Sequence, residues 1–263
     1  MREFFGFGDY QRPAEGFLSW QHLTFVSVLM IGMVVLGVWL GRRDRKQSLQ
    51  RYNRVLVTAA LLIDGLELLK IVLLCFRSGD PMNWLYDLPL FLCSIQLITI
   101  PLAAFARGRV QEAACDFVAI FGILGAVLGT YGAGNNYGSY PVLSFDNVVS
   151  GLTHSISGFV SLYLLISRMA QLKRRNVGIT LTILLGFCVA AYAANIVLDY
   201  NYMFLMRGDG TPYDILYSLV GGDPVVYPLG VVGLFLLYIV GFYQIHYFAK
   251  RNSANKDTKL QTV

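Results

Sequence analysis

A thiol, an imidazole, an amide and three charges interrupt otherwise apolar stretches of this chain. Cys93 lies in LPLFLCSIQL (88–97), His154 in FDNVVSGLTHS (145–155) and Asn195 in AANIVLDYNY (193–202). A thiol beside an imidazole is the pairing of nucleophilic catalysis, because the thiolate is the nucleophile and a nearby His takes its proton. An amide such as Asn195 can orient the imidazole or hold an oxyanion. Asp64, Glu67 and Lys70 share VLVTAALLIDGLELLKIVLLCF (55–76), where a spacing of three places Glu67 beside both of the others on one helical face. Two acids against one base leave a negative charge that a partner or a proton must balance.

These groups need elements to carry them, and the composition says which kind. The chain of 263 residues is 56% hydrophobic and only 14% charged, against about 25% charge in a soluble domain. Its apolar runs reach the roughly 20 residues that a helix needs to cross a bilayer. Seven such runs are read, at 18–41, 55–76, 88–106, 117–134, 148–167, 177–199 and 225–248. The fold expected is therefore all-α, a polytopic membrane bundle of about seven transmembrane helices in a single domain over 1–263. A cleavable signal peptide is not expected, since the first apolar run is too long for a signal core and charges of both signs precede it.

The net charge of +5 is distributed as in a membrane protein, not as in one that binds nucleic acid. Assigning alternate connections to one side gathers 16 of the 21 basic residues there: Arg42, Arg43, Arg45, Lys46, Arg51, Arg54, Arg107, Arg109, Arg168, Lys173, Arg174, Arg175, Lys250, Arg251, Lys256 and Lys259. The other side holds only Arg2, Arg12, Arg77 and Arg207. This bias places the N-terminal segment 1–17 outside and the polar tail 249–263, expected to be unstructured, in the cytoplasm. Trp20, Trp84, Tyr86, Tyr131, Tyr200, Tyr202 and Tyr227 fall at the outer ends and read as interfacial anchors.

With that orientation, four polar groups on four helices share one depth. At about 1.5 Å per helical residue, Cys93, His154, Lys70 and Asn195 all lie roughly 6–10 Å below the outer surface. Charged groups inside a span are costly and mark functional sites by default. The bland alternatives are a cysteine filling an apolar gap, a histidine bonding across helices and a charge triplet that pins packing. A transport or lipid-binding site built on Asp64, Glu67 and Lys70 is the competing functional reading, though few polar residues occupy the inner halves of the spans.

Other features have narrower readings. His22, near the outer end of the first span, joins the cluster or caps it. The three histidines are dispersed without an HExxH pattern, so no metal is expected, the remaining arrangement being a meeting of Glu67, His22 and His154. Four cysteines lack a CxxC pair, and a Cys75–Cys93 disulfide stays open. Gly125 and Gly129 form a small-xxx-small pair read as helix packing. The connection from Asn201 to Pro228 is long for a bundle, and its TPYDILYSLV reads as a short surface helix covering the cluster.

LPLFLCS (88–94), FDNVVSGLTHS (145–155), the Asn195 to NYMFLMR (201–207) spacing and the QHL at 21–23 together resemble the YwaF-like integral membrane proteins. These are similar to the transmembrane protein 164 acyltransferases of animals, and the resemblance covers essentially the whole chain. It implies a multi-helix membrane fold and a cysteine-dependent transfer of fatty acyl chains between phospholipids. By position it makes Cys93 the nucleophile and His154 the base, with Asn195, Asn201 and Tyr202 in supporting roles. Phe91 stands where the family commonly has His, so any help that His gives the thiol is missing here.

The expectation is an intramembrane acyltransferase that works through an S-acyl Cys93, with a lipid hydrolase as its near variant. Membrane phospholipids are the expected substrates, no cofactor is called for, and a bacterial cell membrane is the expected location. Glu67, Lys70, Asp64 and His22 are the expected surroundings of the Cys93–His154 pair.

Overall fold

The computed structural model describes residues 2–47, 49 and 53–261, with side chains as far as Ala249, so Arg51 and the side chains of Lys250, Arg251, Lys256 and Lys259 lie outside the described residues. Its contacts sort the chain into two compact units, Met1–Gln171 and Leu172–Val263. Nine α-helices and no strand occur among the described residues. The first unit holds α1 (Trp20–Arg43), α2 (Arg54–Ser78), α3 (Gln96–Phe105), α4 (Gly108–Tyr131), α5 (Gly134–Ser139) and α6 (Phe145–Ser167). The second holds α7 (Val177–Leu198), α8 (Tyr213–Leu219) and α9 (Val226–Gln261).

Five stretches are long and apolar enough to cross a membrane: Trp20–Arg43, Gly108–Ser139, Phe145–Ser167, Arg174–Leu198 and Val226–Ala249. Two of the seven expected spans fall short of that measure for physical reasons. The α2 helix has the length but carries Asp64, Glu67 and Lys70 in its middle. The α3 helix has only 10 residues, about 15 Å of rise.

The segment expected to open the third span as a helix is not helical. Leu88 is extended at φ −58° and ψ 147°, because the ring of Pro89 disfavours the helical region for the residue before it. Ser94 then ties the next turn to itself, its hydroxyl accepting from Phe91 N at 3.0 Å and donating to Phe91 O at 3.1 Å. Side-chain bonds of this kind compete with the helical ladder. Helix begins only at Gln96, so Cys93 sits in a turn, not one turn inside a helix.

The core of the first unit lies where α4 and α6 pack on each other and where α1, α2 and α3 pack around them. Small residues set the spacing. A methyl at Gly37 of α1 would lie 2.9 Å from Leu162 Cβ, and one at Gly122 of α4 would lie 2.6 Å from Ser157 O, both on α6. Each glycine therefore lets two backbones meet. The end of the bundle where α2 begins is tied by Asn53, which caps α2 through Val55 N and Leu56 N and donates to the Tyr163 hydroxyl at 3.1 Å. Tyr163 in turn donates to Asp44 Oδ2 at 2.8 Å. The opposite face of α1 leaves Val28, Ile31, Val35 and Trp39 about 60% exposed, an apolar surface suited to hydrocarbon.

The aromatic residues divide. Trp20, Trp84 and Tyr86 are exposed, as anchors should be, but Tyr202 and Tyr227 are buried. The Tyr227 hydroxyl donates to Phe204 O at 2.8 Å, so it fastens a loop. The short helix expected in that connection is present as α8. The polar tail differs from expectation, since α9 continues through it to Gln261.

Candidate active site: a thiol and an imidazole in a glycine trough

Cys93 and His154 meet. Their side chains interact, the sulfur presented by the turn before α3 and the imidazole by the middle of α6. The other ring nitrogen of His154, Nδ1, lies 2.7 Å from Ser150 O, one turn earlier on α6. A carbonyl only accepts, so Nδ1 carries the proton and Nε2 is left as the basic nitrogen toward the thiol. This is the tautomer that a general base for sulfur requires. The backbone N–H groups of Cys93 and Ser94 lie in the same turn as the sulfur, not in the interior of a helix.

The glycines of α4 make the space. A methyl at Gly129 would overlap the His154 ring at Cδ2 and Nε2, and one at Gly125 would lie 3.4 Å from Cys93 Cβ. The small-xxx-small pair read as helix packing is thus the floor of a trough that holds both reactive side chains. At Gly129 only hydrogen fits.

Lys70 of α2 is paired on two sides, its ammonium 2.5 Å from Glu67 Oε1 and 3.0 Å from Asp87 Oδ1. Asp87 ends the short 3-10 turn Asn83–Asp87 that leads into the Cys93 loop, so the ion pair also anchors that loop. Sequence reasoning missed Asp87, and its position directly before LPLFLC was the available signal. Asp64 lies near Glu67, but its buried Oδ1 has no partner among the described residues. Of the expected neighbours, Cys93 and His154 are brought together, and Lys70 is paired with Glu67.

His22 has a different setting. It is fully buried, its Nδ1 accepts from Leu18 N at 3.1 Å, and its Nε2 lies 3.1 Å from Thr130 O. Its ring packs 4.0 Å from Tyr137. Both nitrogens are engaged, so it holds the start of α1 against α4. Among the described residues no group of His, Cys, Asp and Glu is placed to hold a metal. All four cysteines are free thiols, Cys75 and Cys93 included.

Asn195, Asn201 and Tyr202 belong to the second unit. Asn195 bonds both backbone polar groups of one residue, donating to Tyr202 O at 3.0 Å and accepting from Tyr202 N at 2.6 Å. Asn201 accepts from Met206 N at 2.9 Å and donates to Arg207 O at 2.8 Å and Asp209 Oδ2 at 2.7 Å. Just after Asn201, Met203 and Phe204 both adopt φ 55°, a left-handed conformation that bulky residues rarely hold unaided. The two amides close a loop upon itself.

A family model, that of the TMEM164 family, matches residues 17–250. The chain belongs to the TMEM164 family. The match spans both units and takes in every candidate residue of the TMEM164-like site, leaving out only the segment before residue 17 and the end of α9. No curated protein and no solved structure matches the chain. With five apolar helices of crossing length, this TMEM164 family member is a multi-pass integral membrane protein.

Proposed function

We propose that the protein is an intramembrane acyltransferase that moves a fatty acyl chain between phospholipids through an S-acyl Cys93. The observation that carries this reading is the juxtaposed Cys93–His154 pair against the α4 glycines, with Nδ1 of the imidazole fixed on Ser150 O. In the first half-reaction His154 Nε2 takes the thiol proton, and the thiolate attacks the ester carbonyl carbon of a donor lipid. The oxyanion of the tetrahedral intermediate forms beside the Cys93 and Ser94 N–H groups, which is where such donors contribute most. Collapse breaks the ester C–O bond, and the departing lysolipid oxygen takes the proton back from His154. In the second half His154 removes the proton of an acceptor lipid hydroxyl, that oxygen attacks the thioester, and Cys93 leaves as thiolate and is reprotonated. Water in place of the acceptor gives the hydrolase.

We place the pair near the outer leaflet, with the N-terminus outside, the C-terminus cytoplasmic, and α2 and the Leu88–Phe105 segment completing seven crossings. The distribution of basic residues supports this orientation. A lipid ester lies at the headgroup boundary, close to the depth this topology gives the thiol. Lys70, held by Glu67 and Asp87, positions the turn that presents Cys93.

The test is purified protein in vesicles of phospholipid labelled in one acyl chain. Wild type transfers label to an unlabelled lysolipid, and a folded Cys93→Ala variant does not. Label released only as free fatty acid identifies the hydrolase. Equal transfer by Cys93→Ala rejects the assignment.

A further inference from the structure

The second unit carries a polar corner of its own, at the end of α7 away from Asn195. Arg174, in the 3-10 turn Arg174–Asn176, holds its guanidinium carbon 4.9 Å from the centre of the Tyr247 ring, within the roughly 6 Å reach of a cation–π contact. The ring is fixed. Its hydroxyl donates to Leu172 O at 2.6 Å, and its face stacks 6.5 Å from Tyr243. The Tyr243 hydroxyl lies 3.3 Å from Thr180 Oγ1. Beside this stack is a cavity of about 370 Å³ lined by Arg174, Val177, Val240, Tyr243, Gln244 and Tyr247, a volume within the roughly 300–1,000 Å³ of small-molecule sites.

The lining has one charge and it is positive. No acid contributes to it, and Lys173 and Arg175 flank Arg174 in sequence. Val177 and Val240 make the remaining wall apolar. Both helices that form the cavity are candidate membrane spans, and the cavity lies at the end where each meets its polar flank. A guanidinium at the end of a span, above an apolar wall, matches an anionic headgroup whose acyl chains continue along the helices. A soluble anion would use the arginine and have no need of the valines.

We propose that this cavity binds the phosphate headgroup of an acidic phospholipid, anchored by Arg174 stacked on Tyr247. The site is separate from the thiol and does not depend on the acyl-transfer reading. The topology above would put it in the cytoplasmic leaflet, but the chemistry is the same in either.

The experiment is native mass spectrometry of the full chain after exchange into detergent with phosphatidylglycerol or phosphatidylcholine. Wild type should retain phosphatidylglycerol at least tenfold better. Arg174→Gln should fall to the phosphatidylcholine level, while Arg207→Gln, at an exposed arginine elsewhere, should not. Val240→Trp fills the cavity with Arg174 intact and should also lose the lipid, which keeps the test decisive if Arg174→Gln folds poorly. Cys93→Ala should retain it, so failure of the catalytic reading would leave this result untouched. Equal retention by wild type and both cavity variants overturns the proposal, and so does full displacement by inorganic phosphate or glycerol 3-phosphate, which would mark a soluble-anion site.

Discussion

The two units use buried polar side chains in opposite ways. In the first, Cys93 and His154 face each other, and Lys70 faces Glu67 and Asp87, with the five side chains drawn from four elements. In the second, Asn195 and Asn201 are turned toward the backbone of the loop that follows them within a few residues. A polar group satisfied by its own neighbouring backbone has used its hydrogen-bonding capacity on folding. A polar group satisfied by side chains from distant elements has cost the fold an assembly, and its partners can exchange protons. Depth in the membrane does not separate these cases, but the identity of the partner does.

The largest effect expected from that contrast is at His154. His154→Ala should lower acyl transfer by at least about a hundredfold in a protein that still elutes as folded, measured by label transfer in vesicles. Transfer within a fewfold of wild type would remove the first unit's claim to chemistry.

Next come the glycines beneath the pair. Gly129→Ala puts a methyl into the His154 ring, and a misplacement of about 1 Å can cost about a hundredfold. Gly125→Ala meets Cys93 only at ordinary contact distance and should cost no more than a fewfold. Equal effects at the two positions would return the glycines to helix packing. A rise in the fraction misfolded, without loss of turnover in the folded remainder, would do the same.

The second unit should respond in stability. Asn195→Ala removes two hydrogen bonds to the Tyr202 backbone, a loss of about 1–3 kcal/mol, read as a lower denaturation midpoint. Turnover per folded molecule should stay near wild type. If the variant is folded and inactive, Asn195 belongs to the site and the contrast between the units fails.

The smallest effect concerns pH at the end of the first unit where α1 stops and α2 begins. The Arg43 guanidinium, paired with Asp44 at 2.7 Å, holds its carboxyl below the usual carboxylate range, and the Tyr163 hydroxyl adds to this. A lowered folded-state pKa contributes stability that is complete above the unfolded value, about 3.9, and is lost as pH falls through the folded one. The stability gap between wild type and Asp44→Asn should therefore be constant near neutrality and close below about pH 4. A gap unchanged at pH 3 would show that the ion pair contributes nothing through its charge.

Much of this was legible in the sequence because it rests on periodic hydrophobicity and on cost. Apolar runs gave the helical bundle, and the expense of burying Cys93, His154 and Lys70 singled them out. What was not legible depends on backbone geometry. Pro89 and Ser94 convert the start of the third span into a turn, and nothing in an apolar run announces that. The anchor of His154 is the Ser150 carbonyl, an atom every residue carries. Gly129 has the same letter whether it faces a neighbouring helix or an imidazole. Asn195 looked like a supporting site residue because the expected topology gave its amide the depth of the thiol, whereas its partner, the Tyr202 backbone, appears only once the chain has folded back.

The most direct measurement is intact-protein mass spectrometry after brief exposure to a donor phospholipid without an acceptor. The account predicts one added acyl mass, released by hydroxylamine, mapped to Cys93 by peptide digestion and absent from Cys93→Ala. Acyl transfer proceeding at the wild-type rate in Cys93→Ala, or a stable adduct on any other residue, would contradict it.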